Sequence, residues 1–198
     1  MSEVLELASG KAAKERTKAF DNLRKAFSKK YIPWYLEDRC EIPQLLSCCD
    51  CNRFHSPTRR MTVSDTIERG LKRGKVDEQI AAASLVGVFC AQIGSSEGDV
   101  ETYNALKSAL TPLMLDPTAD PRTRGHVAFA LGIASFILGQ VEEFGGPLED
   151  FEKVFSGSYK GGTKHSPETL AMHTSALTSW TLLMSMMSPM KCYKTLER

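Results

Sequence analysis

Three stretches of this chain are apolar nearly all the way round a helix, and they recur at a near-constant interval. They run from Val76 to Ile93, from about Pro121 to Leu138, and from about Pro167 to Met187. Their starts carry a similar local signature: Val76-Asp77-Glu78, Ala119-Asp120-Pro121 and His165-Ser166-Pro167. Counted from Asp77, Asp120 and Ser166, the spacings are 43 and 46 residues. A helix with no polar face needs neighbours on both sides. A period of 40–47 residues built from helix pairs is the pattern of HEAT and armadillo repeats, in which stacked pairs share one continuous core. The reading is an all-α chain, a HEAT/armadillo-like α-solenoid of antiparallel helix pairs, with a plain helical bundle as the alternative.

Amphipathic segments fill the intervals. Residues 12–30 place Phe20, Leu23, Phe27 and Tyr31 on one stripe, with Lys and Arg on the other face, before Pro33. From Met61 onward the pattern is helical, and a helix with Ser64 as its N-cap is expected to run to about Arg73 and stop at Gly74. Residues 99–115 put Val100, Tyr103, Leu106, Leu110 and Leu113 on one face, and a short helix spans 147–155. Residues 40–60 lose all periodicity between Pro43 and Pro57, and 156–165 read as a loop. Strand alternation with hairpin turn signals is absent. For 121–138 the expected buried set is Val127, Phe129, Leu131, Ile133, Phe136 and Ile137, and Pro189 is expected to end the last helix. Met172, Met184, Met186, Met187 and Met190 crowd that helix, and its apolar outer face calls for further repeats or a partner.

The formal charge of +1 hides a strong asymmetry. Residues 11–75 hold 16 basic and 8 acidic side chains, whereas 76–198 hold 9 basic and 14 acidic. A basic first third suits a nucleic acid or an acidic protein, and a solvated Lys-rich helix face is the plainer reading. The candidate macromolecule-binding residues are Lys11, Lys14, Arg16, Arg24, Lys25, Arg69, Lys72, Arg73 and Lys75.

Four of the six cysteines, Cys40, Cys48, Cys49 and Cys51, crowd one short stretch. Cys48 and Cys51 have C-x-x-C spacing, and Cys40 or His55 could complete a tetrahedral zinc site. One such pair without a second is a weak signal, so the expectation is no metal and no cofactor, with a zinc-dependent interaction module on 40–55 as the alternative. The N-terminus carries Glu3 and Glu6 and no apolar signal core, which points to a reducing compartment for these thiols. Ser or Gly interrupts every apolar run before it reaches membrane-spanning length, so no membrane partner is expected. Hydrolase, Walker, dinucleotide and zinc-protease motifs are missing. Gly70-Leu71-Lys72-Arg73-Gly74-Lys75 mimics part of a phosphate loop, yet it reads better as a helix end with basic residues in the last turn. The expectation is a non-enzyme without a small-molecule substrate.

The block Met61-Thr62-Val63-Ser64-Asp65-Thr66-Ile67-Glu68-Arg69-Gly70-Leu71-Lys72-Arg73-Gly74-Lys75, followed by Asp77-Glu78-Gln79, resembles the interferon-related developmental regulator family. Weaker similarity continues through Cys90 to Gly94, Asp116, Arg122 to Gly132 and Ser179 to Leu183, covering roughly 12–39 and 60–190. The resemblance implies an armadillo-like domain over 11–198 after a disordered 1–10, interrupted by a disordered insertion at 40–59. It also implies a regulator of gene expression in differentiation, working as a transcriptional co-regulator in the nucleus or a ribosome-associated translational regulator in the cytoplasm. The partners would be a co-repressor complex, the ribosome through ribosomal RNA, or both. Only the family's N-terminal solenoid region is matched, so activities that need its C-terminal part lie outside the resemblance.

Overall fold

The structure, a computed structural model, describes residues 12–31, 36, 59–94, 99–140, 143–156 and 165–196. The described residues form helices α1 (Ala13–Lys29), α2 (Arg59–Arg73), α3 (Val76–Ile93), α4 (Asp99–Leu115), α5 (Pro121–Leu138), α6 (Gly145–Ser156) and α7 (Pro167–Leu196), and no strand occurs among them.

The helices sort into two layers. In one, α3 touches α1 and α5, and α5 touches α7; in the other, α4 touches α2 and α6. The hairpins α2–α3, α4–α5 and α6–α7 join the layers. Side-chain contacts fix the directions in the first layer. Arg16 meets Glu78 near the starts of α1 and α3, and Phe27 meets Gln92 near their ends. Gly125 faces Met172 and Gly132 faces Ser179, so α5 and α7 also run in parallel. The arrangement is all-α, with stacked antiparallel pairs as the periodicity predicts. The long helices α3, α5 and α7 start 45 and 46 residues apart, at Val76, Pro121 and Pro167.

Successive repeats also share a turn device. The fourth residue of α3, Gln79, donates from Nε2 to the Leu71 carbonyl at the end of α2, 2.9 Å away. The fourth residue of α5, Arg124, donates from Nε to the Met114 carbonyl at the end of α4, also at 2.9 Å. The last carbonyls of a helix have no partner within it, and these long side chains supply one. At the helix starts, Asp120 accepts from the Arg122 backbone N–H (2.8 Å) and Ser166 from that of Thr169 (3.2 Å), as N-caps do. Gly94 ends α3 with a φ of 59°, in the region that favours glycine.

The core runs between the layers. Phe20, Leu23 and Phe27 of α1, Val63, Ile67 and Leu71 of α2, and Leu85, Val86 and Phe89 of α3 fill one end. Tyr103, Leu106 and Leu110 of α4 join Val127 and Leu131 of α5 in the middle, and Phe151, Met172, Ala176 and Leu183 close the other end. By length and composition α3 could cross a membrane. In this fold it is a core helix, flanked by α1, α2 and α5. Its one buried carboxylate, Glu78, is neutralised by Arg16.

Several local expectations are corrected. Ser64 does not cap α2, which starts five residues earlier at Arg59; Ser64 is buried inside it. Pro189 does not end α7, which continues to Leu196. A proline removes one N–H donor and strains one turn, and flanking hydrogen bonds can carry the helix across it. Pro112 stands inside α4 in the same way, and its own carbonyl still accepts from the Asp116 N–H. Tyr31 lies beyond the end of α1 and Val100 sits in the first turn of α4, and both are exposed because the apolar stripe outruns the neighbour that would cover it. Phe129 and Phe136 are also exposed rather than core. A helix flanked by α3, α4 and α7 still has one open side, and α5 turns these two rings toward it.

Candidate macromolecule interface

The basic residues divide once they are placed on the fold. Lys11 lies outside the described residues. Lys14, Lys25, Arg73 and Lys75 are exposed. Arg16 is committed elsewhere: its Nε and terminal nitrogen donate to the two carboxylate oxygens of Glu78 at 2.7 and 2.8 Å. Hydrogen bonding to Glu78 raises its already high pKa, so it remains charged. Arg24 pairs with Asp21 at 3.8 Å. Arg69 donates to the Asp65 carbonyl at 3.4 Å, and Lys72 forms an i, i+4 pair with Glu68.

Two glycines bring part of this set together. A Cβ on Gly70 would lie 2.7 Å from the Phe20 ring, so α1 and α2 approach closely at that point. A Cβ on Gly74 would come within 3.0 Å of the Glu78 side chain, the same carboxylate that holds Arg16. The C-terminal part of α2, with Arg69, Lys72 and Arg73, and Lys75 just before α3, thereby lie beside the first turns of α1, which carry Lys14. Basic side chains also complement the partial negative charge where α2 ends. Along α2 a shallow cleft of about 410 Å³ is lined by Asp65, Glu68, Arg69, Lys72 and Arg73, so positive charge dominates only toward the C-terminal end. Arg24 and Lys25 sit further along α1 and do not join this cluster; Arg24 faces the groove between α1, α3 and α5.

Cys40, Cys48, Cys51 and His55 lie outside the described residues. Among the described residues no group of three or more His, Cys, Asp and Glu side chains could hold a metal. His165 and His173 meet edge to face with ring centroids 5.4 Å apart, and burial is the main cause that lowers the pKa of His173. Cys90 is fully buried and its thiol is pushed up to about 12, which keeps it protonated and unreactive. The geometry offers surfaces for binding. Besides the basic end there is an apolar groove over α3 and α5, which sequence reasoning missed. Its only signal was the all-round apolar pattern of α5, and a fully buried helix produces that pattern too.

Comparison with known proteins decides what kind of chain this is. The family model described as "Interferon-related developmental regulator (IFRD)" matches residues 52–198. The chain belongs to the interferon-related developmental regulator family. It is 32% identical over 200 residues to interferon-related developmental regulator 1 of Mus musculus, covering 98% of this chain and 40% of that protein. For the Homo sapiens protein of the same name the identity is 31% over 200 residues, again covering 98% and 40%. Interferon-related developmental regulator 2 of Mus musculus is 31% identical over 182 residues, covering 88% and 36%. The chain thus spans about two fifths of the length of these relatives. The family expected from the block at 61–79 is the family found. In this chain that block is α2, the α2–α3 turn and the first turn of α3, the segment that assembles the basic end.

Proposed function

We propose that this chain is a non-enzymatic regulator of gene expression in differentiation, an armadillo- or HEAT-like scaffold that docks macromolecules at its basic end. Its partners are a co-repressor complex, the ribosome through ribosomal RNA, or both, which places it in the nucleus and the cytoplasm. The observation that carries the reading is the joining of the α2 basic turn to α1 through Gly70 and Phe20. It sets Lys72, Arg73 and Lys75 on a rigid corner of a chain whose family is named for developmental regulation. Rigid placement lowers the ordering cost of a contact, and exposed cations favour phosphate or carboxylate partners.

The test is co-sedimentation with purified ribosomes and capture by a purified co-repressor complex, comparing the parent chain with Lys72→Glu/Arg73→Glu/Lys75→Glu. Loss of ribosome association alone assigns the basic end to RNA, and loss of co-repressor association alone assigns it to protein. For RNA, affinity falls steeply with salt, the logarithmic slope dropping by roughly 0.7 to 0.9 for each phosphate contact removed. Unchanged association of the triple variant with both partners would sink the reading.

A further inference from the structure

The open side of the parallel layer carries a second surface, distinct from the basic end. A groove of about 680 Å³ follows α3 from Asp77 to Val88 and α5 from His126 to Ile133, with Asp21 and Arg24 of α1 along its far wall. A neighbouring hollow of about 490 Å³ shares Ile80, His126 and Phe129 and reaches Glu168 and Ala171 on α7. At 1.5 Å per residue the stretch along α3 is about 16 Å, the length of three helical turns. Ala83, Ser84, Gly87 and Ala130 give the groove a floor of small residues, over which a partner's backbone can come close. Ile80, Val88, Phe129 and Ile133 supply its apolar walls, and Phe129 is 49% exposed.

The rim has a definite sign. Arg24 is matched by Asp21 at 3.8 Å and Arg122 by Asp120 at 3.2 Å. Asp77 and Glu168 take part in no ion pair among the described residues. Both stand where α3 and α7 begin, flanking Arg122. At that end three carboxylates, Asp77, Asp120 and Glu168, surround the one guanidinium of Arg122, and an apolar channel three turns long with this excess of negative charge at one end is complementary to one kind of ligand.

We propose that this groove docks a basic amphipathic helix of a partner protein, its apolar i, i+3/i+4 and i+7 side chains lying between α3 and α5 and its Lys or Arg meeting Asp77 and Glu168. A nucleic acid fits poorly, because its phosphates would face the acidic rim at Asp77 and Glu168. A second copy fits no better. The basic amphipathic helices among the described residues are α1 and α2, and their apolar residues, Phe20, Leu23 and Phe27 on α1 and Val63, Ile67 and Leu71 on α2, are already buried in the chain's own core.

The experiment is fluorescence anisotropy on the purified chain with a labelled Leu/Lys helical peptide of about 18 residues, leucines at helical spacing, against a Leu/Glu peptide with the same leucines. The Leu/Lys probe is expected to bind saturably and the Leu/Glu probe about tenfold more weakly. Phe129→Glu, at an exposed position, weakens the Leu/Lys probe about tenfold or more, and Asp77→Lys/Glu168→Lys weakens it several-fold with a reduced salt dependence. Circular dichroism and the melting temperature confirm that each variant is folded, and Phe129→Ala, which adds no charge, must fall between the parent and Phe129→Glu. Lys72→Glu/Arg73→Glu leaves the probe's affinity unchanged, which separates this groove from the basic end. Equal binding of both probes, full affinity in Phe129→Glu, or loss only in Lys72→Glu/Arg73→Glu overturns the proposal.

Discussion

Arg16 and Glu78, 62 residues apart in sequence, face each other through two hydrogen bonds, Nε to Oε1 at 2.7 Å and the terminal nitrogen to Oε2 at 2.8 Å. The Glu78 side chain is only 4% exposed, so the pair sits at the edge of the core rather than in free solvent. Near the other end of α1, the Gln92 side-chain amide donates to the carbonyls of Phe27 (2.7 Å) and Lys30 (2.9 Å). Together they hold α1 against α3 along its length, with Phe20, Leu23 and Phe27 filling the space between.

Removing one member of that pair strands the other. Arg16→Met should cost about 2 kcal/mol of folding stability, below the full cost of breaking a buried pair because Arg16 is partly solvated. Arg16→Lys should recover only part of it, since an ammonium cannot make both bonds in one plane. Urea denaturation checks this, and a change under about 0.5 kcal/mol for Arg16→Met would reduce the pair to an ordinary surface contact.

The α5–α7 crossing leaves no room for a side chain at Gly132. A Cβ there would lie 2.3 Å from the Ser179 Oγ and 3.1 Å from its Cα, and the Ser179 hydroxyl already donates to the Ala128 carbonyl at 3.0 Å. Gly132→Val should therefore destabilise by about 3 kcal/mol through overpacking. Adding Ser179→Gly should restore part of that loss, and purely additive effects in the double-mutant cycle would contradict the contact.

Burial pushes the Cys90 thiol up to about 12. A free thiol titrates near 8.5, so at higher pH the unfolded chain loses this proton while the folded chain keeps it. The contribution of Cys90 to stability is thus complete below about pH 8.5 and declines as pH rises toward 12. Cys90→Ala should flatten this alkaline loss. In native protein at pH 8, iodoacetamide mapping should find Cys90 unmodified until denaturant is added.

His173 moves stability in the opposite direction. Burial first, then His165 and Arg124, lower its pKa, so the folded chain resists its protonation. Stability from this residue is present above the unfolded histidine value of about 6.5 and falls as pH drops through the lower folded value. His173→Gln should shallow the acid limb of melting temperature against pH. An unchanged acid limb would remove His173 as its source.

Much of this architecture is legible in the chain itself. The starts of α3, α5 and α7 lie within one residue of where Asp77, Asp120 and Ser166 place them, because caps, prolines and apolar periodicity act over a single turn. The family was legible for a related reason: the block at 61–79 builds one contiguous corner of the fold. Pattern alone misjudged Phe129, Phe136 and Val100, because periodicity tells that a face is apolar and not whether a neighbour covers it. Arg16 shows the same limit. Among basic neighbours it reads as one more surface cation, and only the approach of α3 turns it into a strut.

The basic first third, noted as an excess of 16 cations over 8 carboxylates, survives as a sharper object. What the residues determined by themselves is local: helix starts, the 45-residue rhythm and the sign of the charge on each part. What tertiary structure decided is pairing at a distance: Arg16 withdrawn to Glu78, Lys72 and Arg73 anchored beside α1, and Phe129 left open over a groove with an acidic rim. These depend on how far apart parallel helices lie, and that spacing is set where glycines such as Gly87 and Gly132, with no side chain of their own, let Ile133 and Ser179 approach from 46 and 47 residues away.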